Sequence, residues 1–308
     1  DKAGGDFIAT GYLQIEVSIA DEAFALSNAL IRIYKVNQGE IVYENFYVSD
    51  EEGKTPSIPL YAPDIALSLE EESDIRPYET YNVEMRASGY ELMEIQNVQV
   101  FAEESSYLPV HPIPTRRQVF EGRDVSNIPD HHLLTNYGGN NQGQTPHNNG
   151  RILSQIVIPT YITVHLGRPQ SSAENVTVPF LYYLKNVASS EIYPTWPYEA
   201  LKANIWAQAS LALNRVYTEW YPSQGYDFDI TNSTAFDQAF VKDRNIFSSV
   251  AEIVDEVFNQ YIQKSNYQEP YYAEYCDGKI ADCPGMKQWG TLTLANQGYT
   301  AIQILRYY

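Results

Sequence analysis

Gly11-Tyr12-Leu13-Gln14-Ile15-Glu16-Val17-Ser18-Ile19 sets the class of the N-terminal third of the chain. Leu13, Ile15, Val17 and Ile19 alternate with Gln14, Glu16 and Ser18, so an extended backbone places apolar groups on one face and polar groups on the other. A period of two is the pattern of a half-buried β-strand. Leu30, Arg32 and Tyr34 interleave with Ile31 and Ile33 in the same manner, and further strands are expected over residues 41–48, 78–86 and 98–101. Turn-forming runs separate them, among them Asp50-Glu51-Glu52-Gly53-Lys54 and Ser88-Gly89-Tyr90. Several short strands within about 100 residues predict an antiparallel β-sandwich over residues 1–112.

Charge divides the chain at the same place. The 308 residues carry 39 acidic and 20 basic groups, a net of −19. Residues 1–112 hold 21 of the acids against 6 bases, whereas residues 151–308 hold 15 against 11. Such a balance nearly excludes a nucleic-acid binder, which needs a basic face to displace counterions from phosphates, and disfavours anionic membrane surfaces for the same reason. No run of about 18 apolar residues is present, so no membrane span is expected. Asp1 to Gly5 have neither the basic nor the apolar region of a signal peptide. Tyrosine occurs 26 times, an excess of polar-tipped rings that suits wet surfaces stacking on sugars or partners.

The N-terminal strand order resembles the carboxypeptidase regulatory-like, prealbumin-like fold. The resemblance rests on Gly11 to Val17, Asn28-Ala29-Leu30-Ile31-Arg32-Ile33-Tyr34, the Asp50–Lys54 hairpin, and the pairing of Tyr78-Glu79-Thr80-Tyr81 with Ala87-Ser88-Gly89-Tyr90. It implies a spacer or adhesive module, and the acidic surface suits cell-surface protein partners. The acid clusters Asp50-Glu51-Glu52 and Glu70-Glu71-Glu72 lack the alternating oxygen spacing of a calcium loop and read as solvated charge. Residues 113–150 then read as a polar linker. Tyr137 to Gly150 are too poor in apolar side chains to fold alone, and His131, His132 and His147 have no cysteine nearby to complete a zinc set.

The C-terminal half changes character. Strands are expected at 157–158 and 162–164. Pro197 followed by Glu199 marks a helix start, with a helix over 199–216 whose row Ala200, Ala203, Ala207, Leu211 and Arg215 is small enough for close packing. A second helix over 247–263 carries the core stripe Val250, Ile253, Val254, Val257, Phe258 and Tyr261.

Two long motifs here resemble the stage II sporulation protein D (SpoIID) family. The first is Tyr183-Leu184-Lys185-Asn186-Val187-Ala188-Ser189-Ser190-Glu191 with Trp196-Pro197-Tyr198-Glu199-Ala200-Leu201-Lys202-Ala203-Asn204. The second is Gly285-Met286-Lys287-Gln288-Trp289-Gly290, continuing through Leu294 to Tyr299 and Ile304-Leu305-Arg306-Tyr307-Tyr308. The match covers residues 157–308, and the last motif runs into Tyr308, so the natural protein is expected to continue. The fold class that follows is multidomain: an N-terminal antiparallel β-sandwich, a polar linker, and a mixed α+β SpoIID-like domain over residues 151–308.

The resemblance implies a lytic transglycosylase acting on peptidoglycan glycan strands, with Glu191 as the catalytic acid and no cofactor. One protonated carboxyl suffices, because it donates to the glycosidic oxygen while the substrate's own hydroxyl attacks the oxocarbenium-like centre. Apolar neighbours, among them Val187, Ala188, Ile192 and Trp196, are expected to raise its pKa. Trp196, Lys202, Tyr271, Tyr275, Lys287, Gln288 and Trp289, in or beside the two motifs, are the expected substrate-binding residues. Tyr267, Tyr271, Tyr272, Tyr275 and Trp289 read equally as cleft or core. The family's zinc-binding members use a His and two Cys after the long helix; residues 225–238 contain neither, so no metal is expected. Lys287 stands where the family has Ser. Cys276 and Cys283 flank a short turn, and in an oxidising compartment they are expected to form a disulfide. The expected location is extracellular, at a bacterial cell wall. The rival reading is a cell-surface structural or assembly protein that reuses a SpoIID-like module without turnover, and a sealed Glu191 would favour it.

Overall fold

Alternation of buried and exposed side chains organises the first half of the computed structural model, which describes residues 9–19, 23–73, 75–115, 122–134 and 152–308. Strands β1 (Ala9–Ile19), β2 (Phe24–Ala25), β3 (Leu30–Asn37), β4 (Glu40–Val48), β5 (Ile58–Ala62), β6 (Tyr78–Arg86), β7 (Leu92–Phe101), β8 (Ser105–Val110) and β9 (Arg123–Asn127) build two sheets. One has the order β4-β3-β6-β7-β9; in the other, β8, β1 and β2 lie in line and β5 also pairs with β1. Leu13, Ile15 and Val17 are buried, as are Ile31 and Ile33 from the facing sheet. Gly11 is required where β1 runs close to β7: a Cβ there would lie 2.1 Å from the Phe101 carbonyl oxygen.

The sheets are not wholly antiparallel. Strand β1 pairs with β8 in parallel register, Ile15 opposite Leu108, and β7 pairs with β9 in parallel, Ile95 opposite Ser126. Each parallel partner arrives by a connection rather than a hairpin, and alternation within one strand does not encode the direction of its neighbour. Strand β9 lies in the stretch expected as polar linker; its peptide groups find partners along the free edge of β7, which needs no apolar side chains. Residues 137–150, with His147, lie outside the described residues.

The chain forms two compact units, Asp1–Pro129 with Lys242–Ser249, and Asp130–Val241 with Val250–Tyr308. The returning segment supplies β13 (Ile246–Phe247), which pairs with β8 at Tyr107 and Ser106. Phe247 packs edge-on against Phe101 at 5.2 Å, and Asn245 donates to the Gln99 carbonyl at 2.9 Å.

The second unit is mixed α/β. Strand β10 (Tyr161–His165) pairs antiparallel with β11 (Asn175–Pro179) and parallel with β12 (Ile230–Thr231). Strand β11 leads into α1 (Phe180–Glu191), and α2 (Tyr198–Tyr217) follows after Pro194 and Pro197. Then come α3 (Ser248–Val257), the short parallel pair β14 (Tyr275–Cys276) and β15 (Met286–Lys287), α4 (Gln288–Asn296) and α5 (Ala301–Tyr307). Residues 157–158 are not a strand, and α3 stops well short of 263. The small-residue row of α2 does its expected work: Ala203 packs with Leu294, Ala301 and Ile304 of α4 and α5. Helix α5 starts on a capping box in which Thr300 and Gln303 satisfy each other's backbone N–H groups. Among the described residues no helix is long and apolar enough to cross a membrane.

Candidate functional site

Glu191 is the last residue of α1, where the chain turns extended at Ile192. The helix therefore carries its carboxylate inward rather than onto a loop, and only 1% of the residue is exposed. Oε1 accepts a hydrogen bond from the Ala239 backbone N–H at 2.8 Å. Oε2 accepts from Gln208 Nε2 at 2.9 Å and from the Tyr275 hydroxyl at 2.6 Å. Around these donors runs a second set of contacts. Gln238 Nε2 donates to the Tyr275 oxygen at 2.9 Å and to the Gln208 carbonyl at 3.1 Å, while its Oε1 accepts from Tyr183 at 2.9 Å. Gln208 and Gln238 are buried too.

Burial raises the Glu191 pKa to about 7, against the opposing pull of the bonds from Tyr275, Ala239 and Gln208, which favour the carboxylate. Burial first, and the Glu191 charge after it, push the Tyr275 hydroxyl well above its ordinary value, so it remains a donor. A carboxyl poised near neutrality suits proton transfer. In this arrangement, however, the three groups that donate to the carboxylate, on Gln208, Ala239 and Tyr275, are themselves buried among the described residues.

A cavity of about 580 Å³ is lined by Tyr267, Tyr271, Tyr272, Met286 and Tyr308 among others. Glu191 is not in its wall. Ala207 and Glu274 are, and each directly precedes a residue that bonds Glu191, namely Gln208 and Tyr275. The cavity wall and the acid thus share the backbone of α2 and β14.

The expected substrate-binding residues separate into several places. Tyr271 lines the cavity and is 39% exposed. Tyr275 touches Glu191 instead. Trp196 and Trp289 are buried against each other with ring centres 5.0 Å apart, and Tyr193 packs on both, so their faces serve the core. Lys202 pairs with Glu256 at 2.6 Å and sits over Trp206. Lys287 folds back onto Asp282 and the Cys283 carbonyl. Gln288 is wholly buried, and neither atom of its amide has a partner among the described residues.

Cys276 and Cys283 form a disulfide with Cα atoms 6.1 Å apart. Inside the closed loop, the Asp277 carboxylate accepts from the backbone N–H groups of Ile280 and Ala281, both at 2.7 Å. The loop thereby clamps β14 at the residue after Tyr275. Gly285 is needed beside it, since a Cβ would stand 1.9 Å from the Glu274 carbonyl oxygen.

Sequence reading missed Gln208, Gln238 and Ala239. A signal existed for the first: Asn204 and Gln208 are amides spaced i, i+4 on the apolar face of an Ala-rich helix, and a polar group there must meet a partner. Gln238 and Ala239 lie in irregular backbone whose placement only the fold decides.

No known protein-family profile matches this chain, and no curated protein does. Among solved structures, catechol 1,2-dioxygenase from Acinetobacter sp. ADP1 is similar at 12% identity over 41% of this chain, with a TM-score of 0.26. The Acinetobacter radioresistens enzyme gives 13% over 39% with a TM-score of 0.25, and an (S)-allantoin synthase 12% over 37% with 0.21. This chain spans about 60% of the length of the first of these. Superposition this loose carries no argument about fold or activity.

Proposed function

We propose that residues 152–308 are a SpoIID-like cell-wall module that holds peptidoglycan glycan strands at the cell surface without turning them over. The observation that carries this reading is the sealed Glu191, 1% exposed with both carboxylate oxygens occupied by three internal donors. An acid in that state braces α1, α2 and β14. The tyrosine-lined cavity supplies rings on which sugar faces stack. The disulfide suits an oxidising, extracellular location, and the acidic N-terminal unit suits a spacer or adhesive role with protein partners.

A second reading is a lytic transglycosylase with Glu191 as general acid and base. It draws on one observation, the carboxyl pKa raised to about 7, and it requires β14 to withdraw Tyr275 so that substrate reaches the acid. Incubation with purified peptidoglycan, intact and stripped of peptides, separates the two. The first reading expects the protein to sediment with the wall and release no 1,6-anhydro ends by mass analysis. Anhydro ends that disappear with Glu191→Gln would establish the second. Absence of both binding and cleavage would defeat each.

A further inference from the structure

Residues 262–274, between α3 and β14, fold back on themselves. The Tyr271 N–H donates to the Ile262 carbonyl at 2.8 Å and the Tyr267 N–H to the Lys264 carbonyl at 3.0 Å, so the loop closes with its ends together. Side chains of α2 pin it in place. The Ile262 N–H donates to Ser210 Oγ at 2.7 Å, and Asn214 Nδ2 donates to the Pro270 carbonyl at 2.9 Å. The closed loop forms one wall of the large cavity, to which Lys264, Tyr267, Glu269, Tyr271, Tyr272 and Glu274 contribute. Lys264, Tyr267, Glu269 and Tyr271 are exposed and Glu274 is half-buried, so a ligand can reach them.

The charges of this wall are unmatched. Lys264 Nζ sits over the Tyr271 ring, 4.7 Å from its centre, and its ammonium makes no ion pair or hydrogen bond among the described residues. The Glu269 and Glu274 carboxylates take part in none either. Burial, against the pull of Arg215 and with help from Asp237 and Glu274, holds the Tyr272 hydroxyl above its ordinary value, so Glu274 lies within electrostatic reach of that group. An ammonium on a ring face is stabilised by the ring's negative π-cloud, and here the chain supplies one from its own lysine.

We propose that this cavity binds a primary alkylammonium group, and that Lys264 occupies the seat on Tyr271 until such a ligand displaces it. Ring faces flanked by partnerless carboxylates complement a cation on an apolar stem. An anion would meet two carboxylates against one lysine, and a neutral sugar stacked on the tyrosines would leave both carboxylates unmatched. The chain's net charge of −19 adds a long-range attraction for cations. The volume of about 580 Å³ admits the stem as well as the head group. Two sources carry this group, a free diamine and a lysine-type side chain of a peptide. The inference goes beyond the glycan reading and does not depend on it.

The test uses the whole chain with ring-labelled tyrosine and three probes: 1,5-diaminopentane, Nα-acetyl-lysine methylamide, and the neutral Nα,Nε-diacetyl-lysine methylamide. Titration followed by NMR should move the Tyr271 ring signal with the first two and not with the third. Lys264→Met keeps the stem and removes the competing charge from an exposed position, so it should tighten amine binding about five-fold. Glu274→Gln should weaken it about ten-fold, the worth of a hydrogen bond to a charged group. Equal shifts with the diacetylated control, weaker amine binding by Lys264→Met, or an unmoved Tyr271 signal at millimolar amine would overturn the site. Tighter binding of the diamine assigns a free amine and tighter binding of the lysine probe a peptide side chain; either supports the site. Sedimentation with purified wall is read in parallel. A chain that binds wall but neither amine loses this inference and keeps the glycan reading, and one that binds amines but not wall does the reverse.

Discussion

A single carboxyl concentrates the chemistry of the C-terminal unit. Because the folded pKa of Glu191 is raised from 4.5 to about 7, its proton is bound more tightly in the folded than in the unfolded chain. The associated stability is complete below about pH 4.5 and is lost as pH rises through 7, a swing of about 3 kcal/mol. Glu191→Gln should remove that slope: denaturant midpoints at pH 5 and pH 8 should converge in the variant and differ in the parent. A parent chain equally stable at both would contradict the burial argument. Tyr275→Phe deletes a donor that stabilises the charged form, so the Glu191 pKa should rise further, readable from the carboxyl carbon shift in an NMR titration.

At the scale of elements, β14 and β15 are too short to persist alone, and the Cys276–Cys283 loop and Gly285 hold them in place. Replacing both cysteines by serine should cost about 2–3 kcal/mol, the entropy of a small closed loop. The loss should be local first: amide exchange at Tyr275 and Cys276 should accelerate before that of α2. Gly285→Ala should produce the same local loosening with the disulfide intact, because the new methyl group collides with the Glu274 carbonyl. Equal protection of Tyr275 in all three proteins would show that β14 is secured some other way.

Over the whole molecule, the N-terminal unit depends on residues far along the chain. Phe247 is fully buried against Phe101, and Asn245 meets the Gln99 carbonyl and the Ser106 hydroxyl. Phe247→Ala should therefore destabilise the N-terminal unit by about 3–5 kcal/mol although it lies after α2 in sequence. A fragment of residues 1–112 lacks both β9 and β13; it should show a β-type far-UV spectrum with a denaturant midpoint well below that of the intact chain. A midpoint equal to that of the intact chain would mean that neither added strand contributes.

What the sequence determined by itself was local and periodic. Strands β1 and β3 follow from alternation, because a half-buried strand must show its two faces in its own residues, whereas β4 has no buried residue at all. Helix α2 follows from Pro197, Glu199 and its alanine row, and the disulfide from two cysteines near enough to meet in one turn. Tertiary structure alone decided the rest. Strand direction at β8 and β9 depends on which edge is free, and a two-residue strand such as β13 has too few side chains to show a period. Glu191 was legible as an acid among apolar neighbours, but its sealing was not. That depends on Gln208, Ala239 and Tyr275, which lie 17, 48 and 84 residues away and meet the carboxylate only after the helices pack. Burial and hydrogen bonding at a buried polar group are sums over non-local neighbours, and no stretch of one chain carries that sum.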